Sequence, residues 1–145
     1  MKALIQRVSE ASVTVEGNII SSIDQGLVVL LGVEKGDDSA ALDKLLHKVS
    51  HYRIFSDSDD KMNLNVQQVD GSLLIVSQFT LAAETKKGLR PGFSSAATPE
   101  LAETLYEEFI AKAKAMGIAV GTGRFGADMK VALINDGPVT FWLSS

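Results

Sequence analysis

The chain has 145 residues, of which 46% are hydrophobic and 22% are charged, a composition typical of one globular domain rather than a disordered segment. It contains no cysteine, which excludes thiol catalysis, disulfides and thiolate metal sites. The formal net charge of −4 argues against a general nucleic-acid binder, which is usually basic, but leaves room for one local basic patch.

The amino-terminus shows no secretion signal, because charged residues interrupt its apolar stretch at Lys2 and Arg7. The longest apolar run in the chain is also far shorter than the ~18 residues that a membrane span needs. Together with the missing cysteines, these features favour a cytoplasmic protein without membrane association.

The first strand is expected at residues 2–16, where apolar and polar residues alternate cleanly from Ala11 onwards. If this alternation extends backwards without a bulge, Ile5, Arg7 and Ser9 lie on the buried face. Arg7 then needs a partner inside the protein. The alternative is an ordinary arginine on the edge of a sheet.

A hairpin and a central strand follow. The Gly17-Asn18 turn leads into a strand at 19–23. The run at 27–33 is apolar throughout and partly β-branched, as is typical of a central strand.

Four apolar residues at helical spacing predict a helix over 39–52, capped by Asp38 or Ser39. His47 and His51 stand four residues apart on this helix, a spacing that can chelate a metal. We favour a solvated helix face instead, because no third ligand stands at a recognisable motif position.

The region between this helix and the next buried strand is weakly patterned. A short strand is expected at 52–55, an acidic turn at 56–61 and an extended segment at 62–66. A continuous apolar run then follows the turn dipeptide Asp70-Gly71, so residues 72–77 are predicted to form a strand buried on both faces.

This buried strand ends abruptly in Ser77, Gln78, Phe79 and Thr80. Polar groups at the end of a core strand are either satisfied by hydrogen bonds or available to a ligand. We expect a ligand site here, with the polar turn Asn135–Thr140 as its partner segment.

A long loop at 82–97 follows, and a loop of this length in a compact domain is usually functional. Its centre carries Lys86, Lys87 and Arg90 among glycines and a proline. In an acidic chain, three cations beside the expected site are the best candidates for phosphate contacts. The alternative is a solvated surface loop.

Thr98 and Pro99 open a second amphipathic helix, which Gly117 ends. The glycine-rich stretch 121–126 lacks the spacing and the strand-to-helix context of a dinucleotide site. Strands are expected at 118–120, 129–134 and 139–143, with a break at 135–138.

The order of elements predicts one domain over residues 1–145 of the mixed α/β (α+β) class, with a mainly antiparallel sheet or barrel and two packed helices. The sequence has no nucleophile elbow, metal signature, phosphate-binding loop or evident Ser-His-Asp set. No cofactor or metal is expected. If the chain is an enzyme, its catalysis depends on backbone groups, on positioning or on the substrate's own functional groups.

Two segments carry a family resemblance. Ser77–Leu81 (SQFTL) and Asn135–Thr140 (NDGPVT) resemble the two signature motifs of D-aminoacyl-tRNA deacylases, in the right order and at matching chain positions. The likeness covers the whole chain, including the opening 6–15, the loop at 87–91 and the segment 125–129.

The resemblance implies a proofreading hydrolase that cleaves the ester joining a D-amino acid to the 3′ end of tRNA and spares L-aminoacyl-tRNA. Glycine mischarged on tRNA(Ala) is also expected to be a substrate. The family likeness further implies a homodimer with its active sites at the subunit interface. A cis bond at Gly137–Pro138, presented to the partner's site, is expected to exclude L side chains sterically.

The site residues are assigned on this resemblance. The catalytic set is Ser77, Gln78, Phe79 and Thr80. The substrate-binding set is Gly137, Pro138, Phe125, Met129 and Arg7, and the tRNA-binding set is Lys86, Lys87 and Arg90. Within these sets, Phe79, Phe125 and Met129 either wall an adenine pocket or are ordinary core residues, and Arg7 is expected to brace the Gly137–Pro138 loop.

Two catalytic models stay open. In the first, Thr80 is a nucleophile, but the sequence offers no clear base to activate it. In the second, which we favour, the ribose 2′-hydroxyl of the terminal adenosine assists attack by water, and backbone N–H groups near Phe79 and Thr80 hold the oxyanion. Competing interpretations of the whole chain are a non-catalytic nucleic-acid-binding module and a hydrolase of free small-molecule esters.

Overall fold

The structure is a computed structural model that describes all 145 residues. It consists of a curled β-sheet with two helices packed on one face. A single 3-10 turn, Phe79–Ala82, follows the sixth strand. The other elements are β1 (Lys2–Val15), β2 (Asn18–Ile23), β3 (Gly26–Gly32), α1 (Ser39–His51), β4 (Phe55–Ser56), β5 (Met62–Leu64), β6 (Ser72–Ser77), α2 (Pro99–Ala115), β7 (Ala119–Thr122) and β8 (Lys130–Ser144).

The main sheet runs β2-β1-β3-β6-β7, and β8 pairs with the other edge of β1. Strand β1 is antiparallel to β2, β3 and β8, whereas β6 is parallel to both β3 and β7. The sheet curls until its ends meet, where the backbone N–H of Thr122 donates a hydrogen bond to the Ser21 hydroxyl at 3.1 Å. The predicted fold class, a mainly antiparallel sheet or barrel with two helices, is confirmed.

Strand β6 is buried on both faces, as its continuous apolar run predicts. Leu73 and Ile75 belong to the core between the sheet and the helices, which also contains Phe109 of α2. Leu74 and Val76 face the inside of the curl, in a second and smaller core. The carboxyl end of β6 is therefore a rigid base for the residues that follow it.

Both helices begin as the sequence predicts. The Asp38 carboxylate accepts a hydrogen bond from the Ala41 N–H at 2.9 Å, and the Thr98 hydroxyl caps α2 with Pro99 in its first turn. His47 and His51 stack at 4.3 Å on an exposed face of α1. No cluster of three or more residues has the arrangement of a metal site, and no helix is long and apolar enough to cross a membrane.

The alternation in β1 changes phase at a bulge, so the condition under which Ser9 would be buried is not met. Val8 is fully buried instead, and Ser9 is exposed. The pairing of β1 with β8 shifts register on both sides of Val8, which marks the bulges that change the phase. Arg7 still points inward, with its side chain 12% exposed.

The prediction of a strand at 52–55 is wrong for most of this range, because β4 comprises only Phe55–Ser56. The backbone carbonyl of Ile54 accepts a hydrogen bond from the Arg7 guanidinium at 2.7 Å. This carbonyl is thus satisfied by a side chain rather than by a neighbouring strand.

The expected break at 135–138 is a bulge within one long strand, β8. Asn135 pairs with Val8 and Thr140 pairs with Gln6, so the four residues 136–139 stand opposite one residue of β1. The Asn135 side chain closes the bulge, because it accepts from the Val139 N–H at 2.6 Å and donates to the Thr140 hydroxyl at 2.8 Å.

Candidate active site

The polar residues after β6 lie where the strand reaches the surface. The Gln78 N–H donates to the Leu31 carbonyl at 2.8 Å, after which the backbone turns into the 3-10 helix. Phe79 and Thr80 are exposed there, although the centre of the preceding strand, Leu73–Val76, is buried. The turn packs closely on β3, since a Cβ on Gly32 would lie 2.9 Å from the Leu81 Cβ.

An apolar cavity of about 490 Å³ opens beside this turn and is mainly lined by hydrophobic residues. It brings together five of the residues expected at the site: Ser77, Gln78, Phe79, Phe125 and Met129. The remaining wall comes from β6, from the start of α2 with the residues before it, and from the segment 126–131, which includes the carboxylate of Asp128. A cavity of this size with aromatic and thioether walls can hold a flat heterocycle.

The wall that carries Phe125 is held in place by Tyr106, a residue that the sequence patterns did not single out. The buried Tyr106 hydroxyl donates to the Ile75 carbonyl at 2.8 Å, and the Gly123 N–H donates to the same carbonyl at 3.2 Å. The ring of Tyr106 lies 6.0 Å from that of Phe125. Burial raises the pKa of Tyr106 to about 12, so its hydroxyl keeps its proton at neutral pH.

Thr80 faces a second, more polar cavity of about 490 Å³, which also contains Lys2 and Trp142. Its hydroxyl accepts a hydrogen bond from the Gln78 side-chain amide at 2.5 Å. Glu84 is the one carboxylate of this cavity, and it accepts from the Ser95 hydroxyl at 3.0 Å. No histidine lines the cavity. Thr80 therefore has an amide as its hydrogen-bond partner and not a base.

The basic loop has the irregular structure that the sequence predicts. Two backbone hydrogen bonds between Glu84 and Gly92, of 2.7 and 3.1 Å, close its base. Lys86, Lys87 and Arg90 project from it, exposed to solvent and without an ion pair to any carboxylate. Their charges are available to an anionic partner.

Arg7 is paired inside the protein, as its inward position predicts. Its Nε donates to the Asp136 carbonyl at 2.9 Å, and its Nη1 donates to the Ile54 carbonyl. Gly137 has a φ of +143°, a value that favours glycine, and the Gly137–Pro138 bond is cis, as the resemblance predicts. Gly137 and Pro138 are exposed at the tip of the bulge.

Within one chain, the structure does not bring Gly137 and Pro138 together with Thr80. Neither residue lines the apolar or the polar cavity. The bulge stands opposite Arg7, whereas Lys2 of the polar cavity lies five residues further along β1. That separation is roughly 17 Å at the rise of a β-strand.

A family model and curated relatives point to one family. A family model described as D-Tyr-tRNA(Tyr) deacylase matches residues 4–144. The chain is 71% identical over 143 residues to a D-aminoacyl-tRNA deacylase of Aeromonas hydrophila and 68% identical to one of Shewanella amazonensis, with 99% of each chain covered.

Two solved structures share the fold. One, of a c-Myc DNA Unwinding Element Binding Protein, is 40% identical and superposes with a TM-score of 0.95 over 100% of this chain and 99% of its own. The other, a probable eukaryotic D-amino acid tRNA deacylase, has a TM-score of 0.84 over 99% of this chain and 98% of its own. At 16% identity, the second shows the fold alone.

Proposed function

The chain belongs to the D-Tyr-tRNA(Tyr) deacylase family and is a hydrolase of the ester bond in aminoacyl-tRNA, and we propose that it removes D-amino acids from tRNA by a substrate-assisted mechanism. The observation that carries this mechanism is the site at the end of β6. There an exposed polar turn lies beside an apolar cavity, and the Thr80 hydroxyl is bonded to the Gln78 amide and not to a base. The one carboxylate that lines this cavity, Asp128, is largely exposed and pairs with Lys130. We place the reaction in the cytoplasm.

The apolar cavity is proposed to hold the terminal adenine of the tRNA. Phe79, Phe125 and Met129 offer it aromatic and polarisable walls. Ser77 and Gln78 stand at the rim of the same cavity and are proposed to hold the ribose or the ester. The ester carbonyl then lies over the turn that begins at Phe79.

The proposed chemistry uses the backbone of this turn. The first residues of a helical turn leave N–H groups without partners inside the helix, and Phe79 and Thr80 are the first residues here. These N–H groups are proposed to stabilise the oxyanion that forms when water attacks the ester carbon. The ribose 2′-hydroxyl assists this attack. The bond from the carbonyl carbon to the ribose 3′-oxygen then breaks, and the 3′-oxygen takes a proton.

Selection against L-amino acids is proposed to come from the Gly137–Pro138 segment of a second subunit. Within one chain this segment is exposed and distant from Thr80, so a homodimer is the arrangement that can bring the two together. The segment would form a narrow wall at the substrate's α-carbon, where an L side chain clashes and a D side chain points away. Glycine, which has no side chain, would be accepted, including glycine mischarged on tRNA(Ala).

Lys86, Lys87 and Arg90 are proposed to contact phosphates near the acceptor end. They stand on an exposed loop next to the site and have no carboxylate partner. The net charge of −4 of the chain favours a small footprint on the tRNA, confined to this end.

The test is the release of D-tyrosine from D-tyrosyl-tRNA by the purified chain, with D-tyrosine ethyl ester as a second substrate. Turnover of the tRNA ester alone supports the proposal, whereas equal turnover of both indicates a hydrolase of free esters. Binding of tRNA without turnover would indicate a nucleic-acid-binding module, an alternative favoured by the 40% identical structure, whose protein is named for binding a DNA element.

A further inference from the structure

Two aromatic side chains form an exposed pair beside the site. Phe79 is 57% exposed and Phe93 is 41% exposed, and their ring centroids lie 5.1 Å apart at an interplanar angle of 49°. Phe79 also lines the apolar cavity, whereas Phe93 does not. Phe93 therefore extends the aromatic surface from the mouth of the cavity to the outside of the protein.

The backbone fixes the position of Phe93. The two hydrogen bonds between Glu84 and Gly92 close the loop immediately before it, and the Phe93 carbonyl accepts from the Ala96 N–H at 3.1 Å. The following segment is tied to the turn after β3, because the Lys35 N–H donates to the Ser95 carbonyl at 3.0 Å. Phe93 is thus presented from an anchored part of the loop.

Three cations precede Phe93 on this loop although the chain is acidic overall, and two carboxylates also lie close by, Glu84 at the base of the loop and Asp128 on the wall of the apolar cavity. Lys86, Lys87 and Arg90 lie three to seven residues before Phe93, all exposed and without an ion-pair partner. Exposed aromatic rings next to unpaired cations form the arrangement that binds single-stranded nucleic acid, because bases stack on the rings while cations neutralise phosphates.

Resting on the function proposed above, we propose that Phe93 is a stacking platform for the unpaired base that precedes the terminal adenosine. A strand that leaves the apolar cavity passes Phe79 and meets the Phe93 ring next. The cations of the loop then stand along the phosphates of the same strand. A second copy of this chain is the other occupant that could cover the pair, but three unpaired cations favour a polyanion.

The experiment compares Phe93→Leu, which keeps an apolar side chain without a ring, with Phe93→Trp, which keeps a stacking face. Leu89→Ala is the matched control, since Leu89 is fully exposed on the same loop. The substrates are D-tyrosyl-tRNA and 3′-O-D-tyrosyl-adenosine, which lacks the preceding nucleotide. Binding of uncharged tRNA is measured in parallel, so that the test does not depend on turnover.

Phe93→Leu is expected to weaken binding of uncharged tRNA, and to raise KM for the tRNA ester, by at least about 5-fold, the lower end of the effect of losing one stacked base. Its kcat, and its hydrolysis of the adenosine ester, should be unchanged. Phe93→Trp and Leu89→Ala should behave as the unaltered protein.

Three results would overturn the proposal: unchanged tRNA binding in Phe93→Leu, an equal loss on both esters, or dissociation of Phe93→Leu into monomers in sedimentation. Unchanged tRNA binding would show that no base stacks on Phe93. An equal loss on both esters would show that Phe93 shapes the cavity or stabilises the fold. Dissociation into monomers would show that Phe93 lies in the interface between subunits. If the unaltered chain cleaves neither ester, the proposed function fails, while the binding of uncharged tRNA still decides the role of Phe93.

Discussion

The side chain of Arg7 holds the backbone of Asp136, with 2.9 Å between the guanidinium Nε and the Asp136 carbonyl oxygen. A second hydrogen bond from Arg7, to the Ile54 carbonyl at 2.7 Å, ties a third segment to the same side chain. The Asp136 carboxylate is 3.7 Å from Nε, but it is more than half exposed and adds little. Arg7 thus anchors the bulge that presents Gly137 and Pro138.

Replacing Arg7 by alanine should therefore loosen this bulge and weaken discrimination between D- and L-aminoacyl-tRNA. The substitution leaves the Asp136 and Ile54 carbonyls without their charged donor. The free energy of unfolding should therefore fall by about 1.5–3 kcal/mol. Rates on both esters, together with urea unfolding, measure the two effects. Arg53→Ala is the control, because Arg53 also donates to a backbone carbonyl, that of Asn63, but at an exposed position. Unchanged discrimination in Arg7→Ala would show that Arg7 does not position the chiral wall.

Replacing Thr80 by alanine should leave most of the activity. The Thr80 hydroxyl accepts a hydrogen bond from the Gln78 amide and has no base beside it, so it is poorly placed to act as a nucleophile. The proposed oxyanion donor at this position is the backbone N–H, which alanine keeps. Single-turnover rates on D-tyrosyl-tRNA measure the effect. A loss of about 10⁴-fold, the scale of removing an activated nucleophile, would rule out the substrate-assisted model.

The basic loop should determine how binding depends on salt. Each phosphate contact that is lost lowers the slope of log K against log salt by about 0.7 on single-stranded nucleic acid and about 0.9 on a duplex. Changing Lys86, Lys87 and Arg90 to glutamine should thus reduce the slope for tRNA by about 2 to 3 if all three make contact.

The matched control removes three positive charges elsewhere on the surface, at Lys44, Lys61 and Lys114, all of which are exposed. Filter binding of tRNA between low and moderate salt gives the slopes. If both triple variants lower the slope equally, the effect is one of net charge, and the loop has no specific contact.

Tyr106 should make the protein less stable in alkali. Burial raises its pKa to about 12 in the folded state, whereas an unfolded tyrosine titrates near 10. The unfolded chain therefore loses this proton first as the pH rises. The stability that the neutral phenol contributes is complete below about pH 10 and is lost towards pH 12, by about 1.4 kcal/mol per pH unit.

Urea unfolding at pH 8, 10 and 11 measures this loss. Tyr106→Phe should be about 1 kcal/mol less stable at pH 8, since it lacks the hydrogen bond to the Ile75 carbonyl, and its stability should fall less in alkali. Tyr52→Phe, which alters the other tyrosine, should keep the alkaline loss. If the free energy of unfolding falls equally with pH in Tyr106→Phe and in the unaltered protein, Tyr106 is not the source of the alkaline loss.

The sequence predicted the elements whose signals are local. The apolar run 72–77 after a turn dipeptide indicated β6, and the capping residues Asp38 and Thr98 gave both helix starts. The polar end of β6 was also predictable, because an apolar run that stops at hydroxyl and amide side chains marks where a strand leaves the core.

Features that depend on distant partners were not predictable in this way. The phase change at Val8 comes from the register between β1 and β8, and the pattern of β1 alone does not contain it. For the same reason the bulge opposite Arg7 looks like a strand break in the sequence. Tyr106 was missed because its hydrogen bond reaches Ile75, which lies 31 residues away in the chain.

The most direct measurement is the hydrolysis of D-tyrosyl-tRNA and L-tyrosyl-tRNA, in parallel, by the purified chain. Cleavage of the D-ester with the L-ester left intact is the expected result, because the proposed wall formed by Gly137 and Pro138 has room for a hydrogen in the L position and not for a side chain. Cleavage of both esters at similar rates, or of neither by a folded protein, would contradict chiral proofreading at this site.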